Sequence, residues 1–298
     1  MQTVTDLMRR THFAHRSNAE LSIPPMSGAS GWQIASGPFR IGIALGGGFA
    51  RGIAHVGVLK VLEEHRIPIH CIAGISAGAI VAAAYASGAS PDAIARAGCS
   101  MRFADVAQLS FGRLGVVSSR RMNRFLEQLL KTYRFEDMRI PLGIAATDLS
   151  TGQAASFLGS GSVLEPVRAS CAYPGLFEPV AHNGQYLVDG AMSMGIPAPL
   201  ARRLGATHVV SVTLPAASPA APPSNLFQVV TRCFQIMQSR SEESWRGETD
   251  LEIAPDVRGV DWNGFEQSAR LIEAGEMAAL AAIPKIREWM RTGEAAAA

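Results

Sequence analysis

Ser76 stands at the centre of Gly74-Ile75-Ser76-Ala77-Gly78, where the apolar run from Cys71 gives way to an alanine-rich helical pattern. A serine between two glycines at a strand-to-helix turn has the form of a nucleophile. The sharp turn lifts the hydroxyl above the sheet edge, and a side chain at either glycine would strike neighbouring backbone. The helix starting at Ser76 points its free amides and positive dipole end at the reacting centre, so the Ala77 N–H is a natural oxyanion donor. The same residues would also suit a tight strand–helix turn capped by a serine. Partners for the hydroxyl decide between the two.

A serine hydroxyl needs a base. After Ser76 the histidines are His182 and His208. His182 adjoins the Asn183-Gly184 turn and precedes Asp189. His208 follows Asp189, as a Ser–acid–His triad requires, but it opens an apolar strand pattern rather than lying in a late loop. A carboxylate held beside the hydroxyl in a dry site can serve alone, because desolvation raises its proton affinity. Asp148 and Asp189 each end an apolar run. Asp148 is followed by Ser150 and Thr151, a pattern that favours turn capping. Asp189 precedes Gly190-Ala191, where the chain turns sharply, and its role as cap or base stays open on pattern alone.

A second glycine turn lies upstream, in "LGGGFARG" from Leu45 to Gly52. A dinucleotide fingerprint from Gly46 would need glycine at the position of Arg51, and no G-x-x-x-x-G-K-[ST] occurs. Consecutive small residues after a first strand instead suit a second oxyanion element, at the same sheet edge as Ser76.

The elements that must position these residues alternate along the chain. Strand patterns cover "FRIGIAL", "IHCIA", "PLGIAATDL", "THVVSVTL" and the region of "DLEIAP". Helical patterns cover Arg51 to Arg66, the stretch after Ser76, Pro91 to Gly98, Ser119 to Tyr133, "SVLEPVRASCAY", about Asn225 to Trp245, and Gly264 to Thr292. Asn183-Gly184 between two extended runs predicts a hairpin. The expected fold is α/β, a three-layer sandwich with a mainly parallel central sheet. Residues 1–37 are expected to form an irregular extension, residues 38–298 one domain, and residues 215–224 a Pro/Ala-rich loop within it.

Bulk properties exclude several classes. The chain has 298 residues and a formal net charge of +2, too small to argue for nucleic acid. Its four cysteines, Cys71, Cys99, Cys171 and Cys233, lack C-x-x-C spacing and read as reduced thiols in a cytoplasmic setting. Metal-ligand spacing is absent, so no metal or cofactor is expected. The longest small-apolar run, Ala79 to Ala86, is far short of the ~20 residues a bilayer needs. Arg9, Arg10 and Arg16 with Leu7, Met8 and Phe13 suit a weak membrane-surface anchor, but a loosely docked leader is the plainer reading. Met101 to Val117 and the segment after Pro215 are candidates for a lid. Arg120, Arg121, Arg124 and Lys131 read as a solvated helix face.

Taken together, "LGGGFARGIAHVGVLKVLEE", "GISAG", "ASCAYPGLFEPV" and "YLVDGA" resemble, in order, the motifs of the patatin-like phospholipase family, from about Phe39 to Val212. The resemblance implies a serine lipid acyl hydrolase with a Ser76–Asp189 dyad, needing no histidine, metal or cofactor. It implies oxyanion donors on the amides of Gly47, Gly48 and Phe49, joined by Ala77. Gly74, Gly78, Gly52 and Gly190 would support the turns, and Arg51 would brace the loop. The implied partner is an acyl ester or phospholipid; peripheral membrane contact is a separate expectation, from the N-terminal basic and apolar residues and from "VAQLSFGRLGVV". Phe49 departs from the pattern, since many members carry glycine there. A slow or inactive lipid-binding regulator on the same scaffold, and a triad esterase using His208, are the alternative functions.

Overall fold

The computed structural model describes residues 39–109, 114–115, 117–215, 222–223, 226–240 and 243–297. The predicted extension at 1–37 and most of the 215–224 loop lie outside these residues. Within them, strand β1 (Ile41–Leu45) leads through a 3-10 turn (Phe49–Ile53) into α1 (Ala54–Glu64). Then follow β2 (Cys71–Gly74), α2 (Ala77–Ala86), α3 (Pro91–Ser100), the short α4 (Phe103–Val106), and the small strands β3 (Gln108–Leu109) and β4 (Val117–Ser118). Next come α5 (Arg120–Leu129), β5 (Leu142–Asp148), β6 (Ala154–Leu158), α6 (Leu164–Ser170), β7 (Val180–His182) and β8 (Gln185–Val188). The last elements are α7 (Ala198–Arg203), β9 (His208–Val212), α8 (Leu226–Arg240), α9 (Glu243–Arg246), β10 (Leu251–Ile253) and α10 (Ser268–Ala297).

The main sheet has the order β10-β9-β1-β2-β5-β8-β7, with β6 on the other edge of β5. The pairings from β10 to β5 are parallel, and those of β6, β7 and β8 are antiparallel. Helices cover both faces, so the sandwich predicted from the alternation is the fold observed.

Alternation along each strand sorts its residues between two unequal layers. Ile41, Ile43, Leu45, Ile72, Leu142 and Ile144 point into the large core, under the long helices α1, α2 and α10. Ala44, Ala73 and Ala145 point the other way, against Ala198, Leu200 and Ala201 of α7. Small residues are required on that face because α7 lies close. A Cβ at Gly42 would come within 2.6 Å of the Ala206 methyl, and one at Gly143 within 2.7 Å of Leu200.

Two local differences from the sequence reading have physical causes. Strand β6 had no signal: all five of its residues are half-buried, so its edge position imposes no alternation. The helix expected over 225–245 consists of two pieces, α8 and α9. All four cysteines are free thiols, with Cys71 and Cys171 buried. Among the described residues, no helix is long and apolar enough to cross a membrane, and no group of three or more His, Cys, Asp or Glu is placed to hold a metal.

Candidate active site

Strand pairing alone brings Ser76 and Asp189 together. β2 pairs with the start of β5, Ile72 opposite Leu142 and Gly74 opposite Ile144. β8 pairs with the end of β5, Val188 opposite Thr147 and Leu187 opposite Asp148. β6 occupies the opposite edge of β5 along both stretches. β2 and β8 therefore share one edge end to end, and because they run in opposite senses their C-terminal ends meet. Ser76 follows the first and Asp189 the second.

The Ser76 hydroxyl donates to Asp189 Oδ2 at 2.7 Å. Asp189 Oδ1 accepts the Ala191 amide at 2.9 Å. Asp189 is 1% exposed, and this burial pushes its carboxyl up to about 7, against the opposing pull of the Ala191 and Ser76 hydrogen bonds. The main chain around it is pinned: its amide donates to the Ala172 carbonyl, and its carbonyl accepts the Thr147 hydroxyl.

Ser76 takes φ 52° and ψ −127°, a conformation in which a residue with a Cβ carries strain. The surroundings enforce it. The Ser76 amide donates to Ser170 Oγ at 2.8 Å, and that hydroxyl donates onward to the Ala145 carbonyl at 2.6 Å. The Cys171 thiol donates to the Ser76 carbonyl at 3.2 Å. The flanking glycines are sterically required, because a Cβ at Gly74 would lie 2.4 Å from the Gly78 carbonyl oxygen and one at Gly78 would lie 2.4 Å from that of Leu45. Gly52 and Gly190 likewise sit where a Cβ would meet the Ala77 methyl at 2.4 Å and the Ala145 carbonyl oxygen at 2.2 Å.

The glycine turn lies against the serine: a Cβ built on Gly47 would be 3.2 Å from Ser76 Cβ and 3.7 Å from its hydroxyl. Among the described residues, the amides of Gly47, Gly48, Phe49 and Ala77 donate to no protein acceptor, while the neighbouring Gly46 and Ala50 amides donate to Val212 and Trp262 carbonyls. Arg51 folds back to donate from its amide and its Nε to the Gly48 carbonyl, as a brace would.

The model of the family described as Patatin-like phospholipase matches residues 43–202, a span that contains both glycine turns, Ser76 and Asp189. The chain belongs to the patatin-like phospholipase family. Similar curated proteins include neuropathy target esterase sws of Drosophila melanogaster, 29% identical over 180 residues that cover 58% of this chain and 13% of that one. Another is lysophospholipase NTE1 of Mycosarcoma maydis, 30% identical over 227 residues, 74% of this chain and 12% of that one. The chain thus spans about an eighth of the length of these relatives. Among solved structures, the type III effector protein ExoU aligns over 84% of this chain and 53% of its own, at 13% identity and a TM-score of 0.48. VipD from Legionella pneumophila aligns over 83% of this chain and 67% of its own, at 13% identity and a TM-score of 0.46.

Phe49 is where this patatin-like chain departs from the glycine pattern, and its backbone keeps the left-handed conformation that glycine adopts freely, with φ 51°. Its ring lies edge-on to Tyr173 at 4.9 Å and to Trp262 at 5.4 Å. The left-handed backbone costs roughly 1–2 kcal/mol, and two edge-to-face contacts at about 0.5–1.5 kcal/mol each offset it.

The other sequence candidates fall elsewhere. Asp148 is a turn cap: Oδ1 accepts from the Ser150 amide and hydroxyl, and Oδ2 from Thr151 and Gln185. These bonds, the Ser150 hydroxyl first, hold its carboxyl below the ordinary range. His208 pairs with Ile41 at the start of β1, whereas the serine turn follows the level of Leu45 and Gly74 at its end. Its ring packs on Phe39 and Trp289, so the triad arrangement does not form. His182 is paired with Glu165. Arg120, Arg121, Arg124 and Lys131 lie on an exposed face, as predicted.

Ser170, Cys171 and His55 were not singled out by sequence reasoning. His55 is wholly buried, and its Nε2 donates to the Gly46 carbonyl at 2.8 Å, tying α1 to the glycine turn. Burial lowers its pKa to about 4, so the ring is neutral at pH 7. It interrupts an otherwise apolar helical stripe, the one signal that could have found it. Ser170 and Cys171 end a helix like many small residues, and only the folded chain sets them against Ser76.

Proposed function

We propose that this chain is a serine lipid acyl hydrolase in which Ser76 and Asp189 act as a dyad on the acyl ester of a phospholipid, a lysophospholipid or a simpler ester. The 2.7 Å bond from Ser76 Oγ to a buried Asp189 with raised proton affinity carries this reading. Asp189 takes the hydroxyl proton as Oγ attacks the ester carbonyl. The negative charge that develops on the carbonyl oxygen is held by amides drawn from Gly47, Gly48, Phe49 and Ala77, which are free to donate. Collapse of the tetrahedral intermediate expels the alcohol, which leaves with the proton returned from Asp189. An acyl-Ser76 ester remains. Water enters, Asp189 accepts its proton, and the second tetrahedral intermediate releases the fatty acid and restores the hydroxyl.

Family membership supports the reaction class, and the relatives' names include esterase and lysophospholipase. The test is hydrolysis of lysophosphatidylcholine and of acyl esters of graded chain length by the wild-type chain and by Ser76→Ala. Fatty-acid release that disappears in Ser76→Ala supports the reading. A folded wild type that hydrolyses none of these substrates contradicts it and favours the lipid-binding alternative.

A further inference from the structure

Helix α8 is built inside out. Its half-buried, protein-facing positions are Val230, Thr231, Arg232, Phe234, Gln235 and Gln238, four of the six polar. Its exposed positions are Gln228, Val229, Cys233, Ile236 and Met237, of which only Gln228 is strongly polar. Val229 is 43%, Ile236 54% and Met237 61% exposed. A helix on the surface of a water-soluble domain places its apolar stripe inward and its polar face outward. Here the more apolar side faces out.

The polar inner side rests on the candidate active site. Gln238 Nε2 donates to the Ala191 carbonyl at 3.2 Å, and the Ala191 amide is the one bound to Asp189. Phe234 stands edge-on to Tyr173 at 5.6 Å, and Tyr173 stands edge-on to Phe49 in the glycine turn. The helix therefore touches both sides of the proposed catalytic centre, through Ala191 next to Asp189 and through Tyr173 next to Phe49.

We propose that the outward face of α8 is the surface through which this protein docks on a lipid aggregate carrying anionic headgroups. The choice of lipid as occupant rests on the acyl hydrolase reading above. Two further observations favour it. The helix sequence Leu226–Arg240 carries two arginines and no acidic residue, so the net charge of the element as a whole is positive, the sign that suits an anionic interface. The exposed parts of Val229, Ile236 and Met237 amount to roughly 300 Å², well short of the ~800 Å² that each partner buries in a stable protein–protein contact. A few apolar side chains entering the headgroup region need no such area.

The test uses the full chain and vesicles of phosphatidylglycerol mixed with phosphatidylcholine, sedimented with wild type and with Val229→Glu/Met237→Glu. Both sites are exposed and outside the proposed dyad and oxyanion turn, so the variant is expected to keep the wild-type melting temperature and fluorophosphonate labelling of Ser76. Vesicle binding is expected to fall at least tenfold. An environment-sensitive fluorophore on Cys233, in a Cys99→Ser background, is expected to shift to the blue when vesicles are added. Wild-type vesicle binding by the double variant, no binding by the wild type, or an unshifted fluorophore overturns the proposal. So does a wild-type dimer in gel filtration that the double variant dissolves, which would make a second copy the occupant. Binding is read without turnover. A chain that docks but neither labels nor hydrolyses sinks the dyad and leaves the docking face, and one that labels without docking does the reverse.

Discussion

Ser170→Ala separates the support of the proposed nucleophile, Ser76, from the nucleophile itself. Ser170 is 0% exposed, and its hydroxyl is the acceptor for the Ser76 amide. Alanine keeps the size of the side chain to within one atom and leaves that buried amide unpaired, at about 1–3 kcal/mol. The strained serine conformation itself stores about 1–3 kcal/mol. The bond lost and the strain it opposes are of the same size, so Ser76 would spend much of its time outside the reactive geometry. A loss of about 1.4–2.8 kcal/mol at the transition state is a fall of about 10–100-fold in kcat, with KM unchanged because no substrate contact is removed. The assay is kcat and KM on a soluble acyl ester, together with the rate of fluorophosphonate labelling of Ser76. Leu126→Ala is the control: Leu126 is wholly buried in α5 and joins none of the hydrogen bonds around Ser76, and it should destabilise by about 2–5 kcal/mol without slowing labelling of the folded protein. A Ser170→Ala protein that is destabilised yet labels at the wild-type rate would refute the argument that this bond holds the elbow.

The raised carboxyl of Asp189 predicts a kcat/KM that climbs with pH and levels off above a midpoint of about 7. The folded chain binds this proton more tightly than the unfolded chain, so the associated stability is fully present below about pH 4 and lost as pH rises through about 7. Asp189→Asn should therefore be inactive, more stable than wild type at pH 8, and without that advantage at pH 4, as thermal melts at the two pH values would report. Asp148→Asn removes an anionic acceptor that serves Ser150, Thr151 and Gln185, so it should lower the melting temperature at pH 7 while leaving the labelling rate unchanged. Phe49→Gly should relieve the left-handed backbone, which about offsets the lost ring contacts to Tyr173 and Trp262, and should also lose the burial of the half-buried ring, giving a net destabilisation of about 1–2 kcal/mol by denaturant titration. Labelling should persist in that variant, because the amide at position 49 is kept.

Much of the site was legible because its parts have local signatures. Gly74 and Gly78 announce the elbow, since no other residue fits against the carbonyls of Gly78 and Leu45. Asn183-Gly184 announces the β7–β8 hairpin, and Asn183 indeed takes φ 48°. Asp148 was readable as a cap from its neighbours Ser150 and Thr151. What pattern could not decide was whether Asp189 is a cap or a base. It is bonded in both ways, with one oxygen on the Ala191 amide and the other on Ser76. Only the family resemblance singled it out before the pairing of β2 and β8 along one edge of β5 was known. Ser170 and Cys171 were illegible because their partners lie 94 and 95 residues away. The inverted face of α8 was likewise hidden, because its hydrophobic periodicity is the same whichever side faces in.

The measurement that bears most directly on the dyad is intact-protein mass spectrometry of the chain after reaction with a fluorophosphonate, for wild type, Ser76→Ala and Asp189→Asn, with circular dichroism confirming that each is folded. The Ser76–Asp189 bond predicts a single adduct on the wild type, mapped to Ser76, and none on either variant over the same time. A folded wild type that takes up no adduct, or an Asp189→Asn variant that labels as fast as wild type, would contradict the account.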